Sequence, residues 1–140
     1  MTHQITKEHV FVAAIADRPG ALAEKLAALR DGGLSLEFII LRREQAGRQL
    51  MFISPLRTVE EIEVAKSAGL SKAEGLHSLR VAGPNEPGLG AKIAEALAKA
   101  NVNIRGLSAA AFAGQQVTNL AFDTADDAIR AKESLEAALS

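Results

Sequence analysis

Two five-residue corners carry the residue types in this chain best suited to ligand chemistry. Ala16-Asp17-Arg18-Pro19-Gly20 lies between an apolar run and an alanine-leucine helical pattern, and Pro84-Asn85-Glu86-Pro87-Gly88 repeats it 68 positions later. Proline presets the dihedral of a first helical turn and glycine supplies backbone freedom, so each corner reads as a strand turning sharply into a helix. The first amides of such a helix have no intrahelical acceptor and sit at the positive end of its dipole. What this offers chemically is capture of a small carboxylate. The same turn serves equally well as plain turn chemistry, with Asp17 or Arg18 placed as a helix cap.

Other chemistries lack their residues. The carboxylates Asp17, Glu37, Glu86 and Asp123 are scattered along the chain with no evident titratable partner, so no acid–base pair converges. Glu37 and Arg105 occupy related positions and read either as a pair across a repeat interface or as solvated charges. With no cysteine and three histidines that lack ligand spacing, neither a metal site nor a cofactor is expected. His9 and His77 coincide between the two halves at strand starts and read as surface residues, and His3 falls in a polar tail. NEPGLG is one glycine short of a dinucleotide fingerprint, and no phosphate-binding P-loop pattern occurs.

Composition narrows the partners. Sixteen basic against 17 acidic residues give a net charge of -1, and five Phe with no Tyr or Trp leave little for base stacking, so no nucleic acid partner is expected. The N-terminal MTHQITKEH lacks a signal-peptide layout, and no apolar run approaches the roughly 18 residues of a membrane span. A soluble cytoplasmic protein with no membrane partner is the expectation.

The elements that must hold the corners follow from periodicity. Residues 1–8 are polar and expected to be mobile or loosely attached. His9 to Ala16 (HVFVAAIA) reads as a strand apolar on both faces, and Leu22, Leu26 and Leu29 stand at helical spacing before Asp31-Gly32-Gly33 closes the helix. Leu34 to Arg43 and Arg48 to Ser54 read as a hairpin around Glu44-Gln45-Ala46-Gly47, after which Thr58 caps a helix stopped by Gly69. Gly69 to Gly75 is small and polar, a weak strand and a plausible linker. The second half repeats this: strand Leu76–Gly83, corner, helix Ala91–Ala100, strand Asn103–Phe112, turn Ala113-Gly114-Gln115, strand Gln116–Phe122, and a final helix capped by Thr124.

The chain is therefore βαββα twice. At a fixed offset of 68, His9/His77, Ala14/Ala82, Pro19/Pro87, Gly20/Gly88, Ala23/Ala91, Ala28/Ala96 and Leu29/Leu97 coincide, which identifies a duplication. Two domains are expected, residues 1–72 and 73–140, each near the lower limit for an independent core. In the first, both faces of the strands are apolar, and one helical layer covers only one of them. Burial of the other face against the second repeat or another chain is expected, and with it a homodimer.

The segments DRPGALAEKLAAL and NEPGLGAKIAEAL, followed by LSLEFI and VNIRGL, resemble the ACT domain, a small amino-acid-binding regulatory module, over residues 9–68 and 77–140. The resemblance implies an α+β fold of two ferredoxin-like βαββα(β) units, each an antiparallel sheet with helices on one face. It implies ligand contact at Asp17, Arg18, Pro19, Gly20, Ala21 and Leu22 in the first unit. In the second it implies contact at Asn85, Glu86, Pro87, Gly88, Leu89 and Gly90, with Asn103 and Ile104 on the following strand. Two departures stand out: neither unit has an evident fourth strand, and Ser35 occupies the place of Asn103. Of the two corners, the second is the favoured site, because Asn103 both donates and accepts and Gly90 admits close approach.

Three functions remain open on these residues. The first is a non-enzymatic regulatory protein that binds an amino acid and acts through its domain or dimer interface, with a partner enzyme as the receiver. The second is a ligand-free structural or regulatory subunit docked on such an enzyme. The third, a small enzyme on the same scaffold, is the least supported.

Overall fold

The computed structural model describes residues 3–140. In chain order the elements are β1 (Gln4–Glu8), β2 (Phe11–Ala16), α1 (Ala21–Asp31), β3 (Phe38–Gln45), β4 (Arg48–Ser54), α2 (Val59–Ser67), β5 (Ser71–Lys72), β6 (His77–Pro84), α3 (Leu89–Lys99), β7 (Gly106–Phe112), β8 (Gln115–Phe122) and α4 (Ala125–Leu139). They form two compact units, each with a four-stranded antiparallel sheet and two helices. No helix among the described residues is long and apolar enough to cross a membrane.

The first unit spans His9–Glu74, with sheet order β3-β4-β2-β5. Its core forms where Phe11 and Ala13 of β2 and Met51 and Ile53 of β4 meet Leu29 of α1 and Ala65 of α2. Leu22 and Leu26 complete the helical face, as their spacing requires. The opposite sheet face carries Val12, Phe38, Ile40, Leu50 and Phe52, all half-buried, while Ala14 and Ala16 are exposed. That second face is as apolar as the sequence indicates, but it is not closed in the way expected of a core.

The second unit joins Gly75–Ser140 to β1, with sheet order β1-β6-β8-β7. This corrects two expectations: the chain does not divide into residues 1–72 and 73–140, and residues 4–8 are not a mobile tail. Residues 1 and 2, which belong to the same expected segment 1–8, lie outside the described residues. Gln4–Glu8 runs antiparallel to β6 from Ala82 to Ser78, and Ile5 drops into a core with Leu79, Val81, Leu97 and Phe122. His3, expected in the tail, is bound too: its Nε2 lies 2.9 Å from the Pro84 carbonyl oxygen. A Cβ on Gly83 would stand 2.8 Å from His3 Cδ2, so the ring rests on bare backbone.

Both missing fourth strands are now placed, and they match. Thr6 and Lys7 face Arg80 and Leu79, while Ser71 and Lys72 face Val12 and Phe11. Those partners differ by 68, so Ile5-Thr6-Lys7 and Leu70-Ser71-Lys72 hold the same register in their respective sheets. Ile5 and Leu70 are the buried apolar members of each triplet. The stretch after Gly69, expected as a linker, is thus the first unit's closing strand, although only two residues of it pair.

Other boundaries moved for local reasons. The second strands begin at Phe38 and Gly106, not at Leu34 and Asn103, because Leu34, Leu36 and Val102 pack into the cores before the backbone joins the sheet. Pairing starts with Glu37 N to Ser54 O at 3.2 Å and Arg105 N to Ala121 O at 2.9 Å, again 68 apart. Glu37 meets Arg57 at 3.1 Å and Arg105 meets Asp123 at 3.6 Å, each within its own unit.

The expected caps at Thr58 and Thr124 are present, each hydroxyl accepting an amide three residues on. At Thr58 the box is closed by Glu61, whose carboxylate takes the amides of Arg57 and Thr58, both at 3.0 Å. Those bonds, the Arg57 amide first, lower the Glu61 pKa below its usual 4.5. A carboxylate with a depressed folded pKa contributes stability that is complete above its unfolded value and is lost as pH falls through the folded one. Protection of the Arg57 and Thr58 amides, their exchange relative to the intrinsic rate at each pH, is therefore expected to fall on acidification through and below that usual value, and Glu61→Gln should remove this pH dependence of protection. In the second unit, Ile5→Ala is expected to cost about 2 kcal/mol in denaturant unfolding, as for a buried strand residue; a mobile tail would show no cost.

Candidate ligand site at the helix corners

Each corner is built by a glycine in left-handed conformation. Gly20 has φ 90° and ψ -18°, Gly88 has φ 82° and ψ 4°, and each is the N-cap of an eleven-residue helix with no side-chain cap. Asp17 is therefore not the cap. Its carboxylate instead takes Arg43 Nε of β3, two strands across the sheet from β2, at 2.6 Å, a bond that raises the guanidinium pKa further. The hydrogen bonds of the two corners superpose on the repeat. Asp17 N donates to Gly47 O at 3.1 Å and Asn85 N to Gly114 O at 2.9 Å, so each corner is tied to the tip of its own hairpin. Ala21 N reaches Arg18 O and Leu89 N reaches Glu86 O, both at 3.3 Å.

Helical bonding resumes with Glu24 N to Gly20 O and Lys92 N to Gly88 O, both 2.9 Å. Between them, the amides of Leu22 and Ala23, and of Gly90 and Ala91, find no acceptor among the described residues. These are the free donors that the sequence pattern places at the corners. The electrostatics favour an anion at both helix starts, and more so at the second. Glu24 stands in the first turn of α1, whereas α3 has no acidic residue there.

The corners differ in what stands over them. At the first, Arg18 folds back, bonding Glu24 at 3.0 Å and the Pro19 carbonyl at 3.2 Å, and its Nη1 would lie 3.7 Å from a Cβ at Gly20. At the second, a Cβ on Gly88 or on Gly90 would meet nothing within 4 Å. The first corner is screened by its own guanidinium. The second is open.

The remaining expected residues divide between core and surface. Ala21, Leu22, Leu89 and Ile104 pack into the unit cores and shape the site from beneath. Pro19, Asn85, Glu86, Pro87 and Gly90 are exposed at the corners. Asn103 and Ile104 are not on a strand but in the approach to β7, and among the described residues no hydrogen bond joins them to the second corner. Lys25 was not anticipated. It helps line a cavity of about 250 Å³ beside the first corner, and its Nζ donates to Ala68 O at the end of α2 at 2.6 Å. The signal for it was a lone cation one turn after Ala21, on the helix stripe that continues to Leu29. Among the described residues no cluster of His, Asp and Glu is placed to hold a metal ion.

No family model and no curated protein matches the chain. Solved structures do. The regulatory subunit of aspartate kinase from Thermus thermophilus, in a ligand-free form, matches with a TM-score of 0.68 at 19% identity, over 100% of this chain and 98% of that one. Protein BT0572 from Bacteroides thetaiotaomicron gives 0.76 at 15% identity, over 92% of this chain and 88% of that one. E. coli aspartokinase III, in complex with aspartate and ADP, gives 0.56 at 15% identity, over 98% of this chain and 33% of that one. At these identities the likeness establishes the fold alone: two ferredoxin-like units in tandem.

The left-handed corners set a stability expectation independent of any ligand. Gly20→Ala and Gly88→Ala should each cost about 1 to 2 kcal/mol, from backbone strain alone, since neither Cβ meets a close neighbour. Chemical denaturation of both variants measures this, and unequal costs would show that the two corners are not conformational twins.

Proposed function

We propose that these tandem ACT-type units form a non-catalytic regulatory protein that binds an amino acid at the helix corners and passes occupancy to a partner enzyme or to a second copy. The observation that carries this reading is the twin geometry of the corners, with the second left uncovered. The ligand carboxylate docks on the amides of Gly90 and Ala91, beside Asn85, Glu86, Pro87 and Gly88. Its ammonium group is met by Glu86, by backbone carbonyls or by Asn103. In the first unit Asp17, Arg18, Pro19 and Gly20 form the counterpart, with Arg18 moving off Glu24 to admit a ligand. Support for a regulatory role comes from structural neighbours named as regulatory subunits of aspartate kinase.

The transmission surface fits an assembly. The half-buried Phe38, Ile40, Leu50 and Phe52 make an apolar sheet face in the first unit, the kind of surface that a homodimer or an enzyme partner covers. A ligand that binds one assembled form better than another shifts the population toward it by its difference in affinity and no more.

A thermal-shift series with the twenty amino acids tests the site. A ligand of the folded state stabilises by RT ln(1 + [L]/Kd), about 2.7 kcal/mol at a hundredfold excess over Kd. Gly90→Leu is the discriminating variant, because that helical position has open space and no left-handed strain. It should abolish the shift while leaving basal stability equal or up to about 1 kcal/mol higher. A shift that survives Gly90→Leu rules out the second corner. Sedimentation velocity showing a monomer at all concentrations, with and without ligand, would defeat the homodimer.

A further inference from the structure

The two units close their sheets unequally. In an antiparallel pair only alternate residues turn N–H and C=O toward a given neighbour. Ala73 N donates to Val10 O at 2.9 Å, so Val10, Val12, Ala14 and Ala16 face the β5 side of β2. Yet β5 pairs only with Phe11 and Val12. Beyond it, the Ala14 peptide has no hydrogen-bond partner among the described residues, and the Ala16 carbonyl takes only the Arg18 amide at 3.0 Å.

In the second unit the same edge is filled. Ala82, the counterpart of Ala14, pairs with Gln4, and the Pro84 carbonyl, the counterpart of Ala16, is bonded by His3. In the first unit that space is the cavity of about 250 Å³, lined by Ala14, Ile15 and Ala16 on one side and by Arg18, Lys25 and Ala68 on the other. The edge has none of the usual guards. Residues 13–16 (AAIA) contain no charge and no proline, and their pairing with β4 has no bulge.

The charges around the gap are unbalanced. Arg18 is paired with Glu24 at 3.0 Å, but Lys25 Nζ is bonded to the neutral Ala68 carbonyl and has no counter-ion among the described residues. We propose that the open edge of β2 at residues 13–16 docks an extended segment of a partner protein, added as an antiparallel strand about four residues long. One small or apolar side chain of the segment turns into the cavity and a carboxylate approaches Lys25. A second copy is the poorer occupant, because its own β2 edge brings Arg18 and Lys25 toward the same cations. This site is separate from the amino acid corner of the second unit and does not depend on it.

The test uses the full chain and two capped pentapeptides, MTHQI, which copies residues 1–5 and so carries the counterparts of the positions facing residues 13–16, and MTEQI, in which its histidine, opposite Ile15 in that register, is glutamate. Binding is read by amide hydrogen exchange and by titration. Expected are saturable binding, slowed exchange at the Ala14 and Ala16 amides, and unchanged exchange from Ser78 to Ala82. MTEQI should bind about threefold tighter, the scale of one exposed ion pair, and Lys25→Met should erase that difference without loss of fold. Ala14→Pro, which removes the edge donor, should weaken both peptides at least about tenfold. The proposal is overturned if neither peptide binds, if protection appears at Ser78–Ala82 by displacement of β1, or if Lys25→Met leaves the threefold preference intact. Protection of Ala14 in the free protein with concentration-dependent self-association would assign the edge to a second copy, and overturns it equally.

Discussion

A central strand in a sheet must be hydrogen-bonded on both sides, and that requirement governs how this chain is threaded. β2 and β6 each lead into a corner and each run beside the second strand of the hairpin that follows. Each therefore needs a further strand on its other flank. The duplicated unit, βαββα, does not contain one. The chain finds it in the short segment that leads each repeat: Ser71–Lys72, on the way into the second repeat, closes the first sheet, and Gln4–Glu8, on the way into the first, closes the second. What reads as leader and linker is the remaining wall of both cores.

That closure is also what holds the corners. Each corner is anchored at one end by a strand, β6 bonded on both flanks and β2 on both only at Phe11–Val12, at the other by a helix whose apolar face is sunk in the core, and in the middle by a single amide bond to a hairpin tip. Little freedom remains, so the unsatisfied amides point in a fixed direction and no reorganisation is needed to present them to an anion. The difference between the corners is then one side chain. Arg18 reaches over the first from just outside the helix, and Glu86 in the same place of the repeat cannot do the same.

How much of this was legible from the residues follows from where the information lies. The helices α1 and α3 are eleven residues each and exactly one repeat apart, and their leucine spacing, the threonine caps and the glycine hairpins all state their structure locally. The fourth strands do not. QITKE has one inward apolar residue, Ile5, and SK has none, so neither shows the alternation that marks a strand; only the matching triplets Ile5-Thr6-Lys7 and Leu70-Ser71-Lys72 hint at it. Their pairing is decided by edges that exist only after the rest of each unit has folded. The starts of β3 and β7 were misplaced for the converse reason: Leu34, Leu36 and Val102 are apolar because they fill the core, not because they lie in the sheet. At the candidate site, turn chemistry gave the corners away, while the role of Lys25 depends on where α2 ends, which no local pattern encodes.

The placement of β1 carries a consequence for synthesis. Residues 9–74 hold every strand and helix of their own sheet, so that part of the molecule has all it needs as soon as it leaves the ribosome. The other part does not: its first strand emerges ahead of residues 9–74 and waits until Ser78–Ala82, and then β8, have been made. Closing that long loop has an entropic cost of only a few kcal/mol, but it comes before any contact rewards it. Translation therefore imposes an order of assembly, in which a strand made before the first unit is used only after that unit is complete.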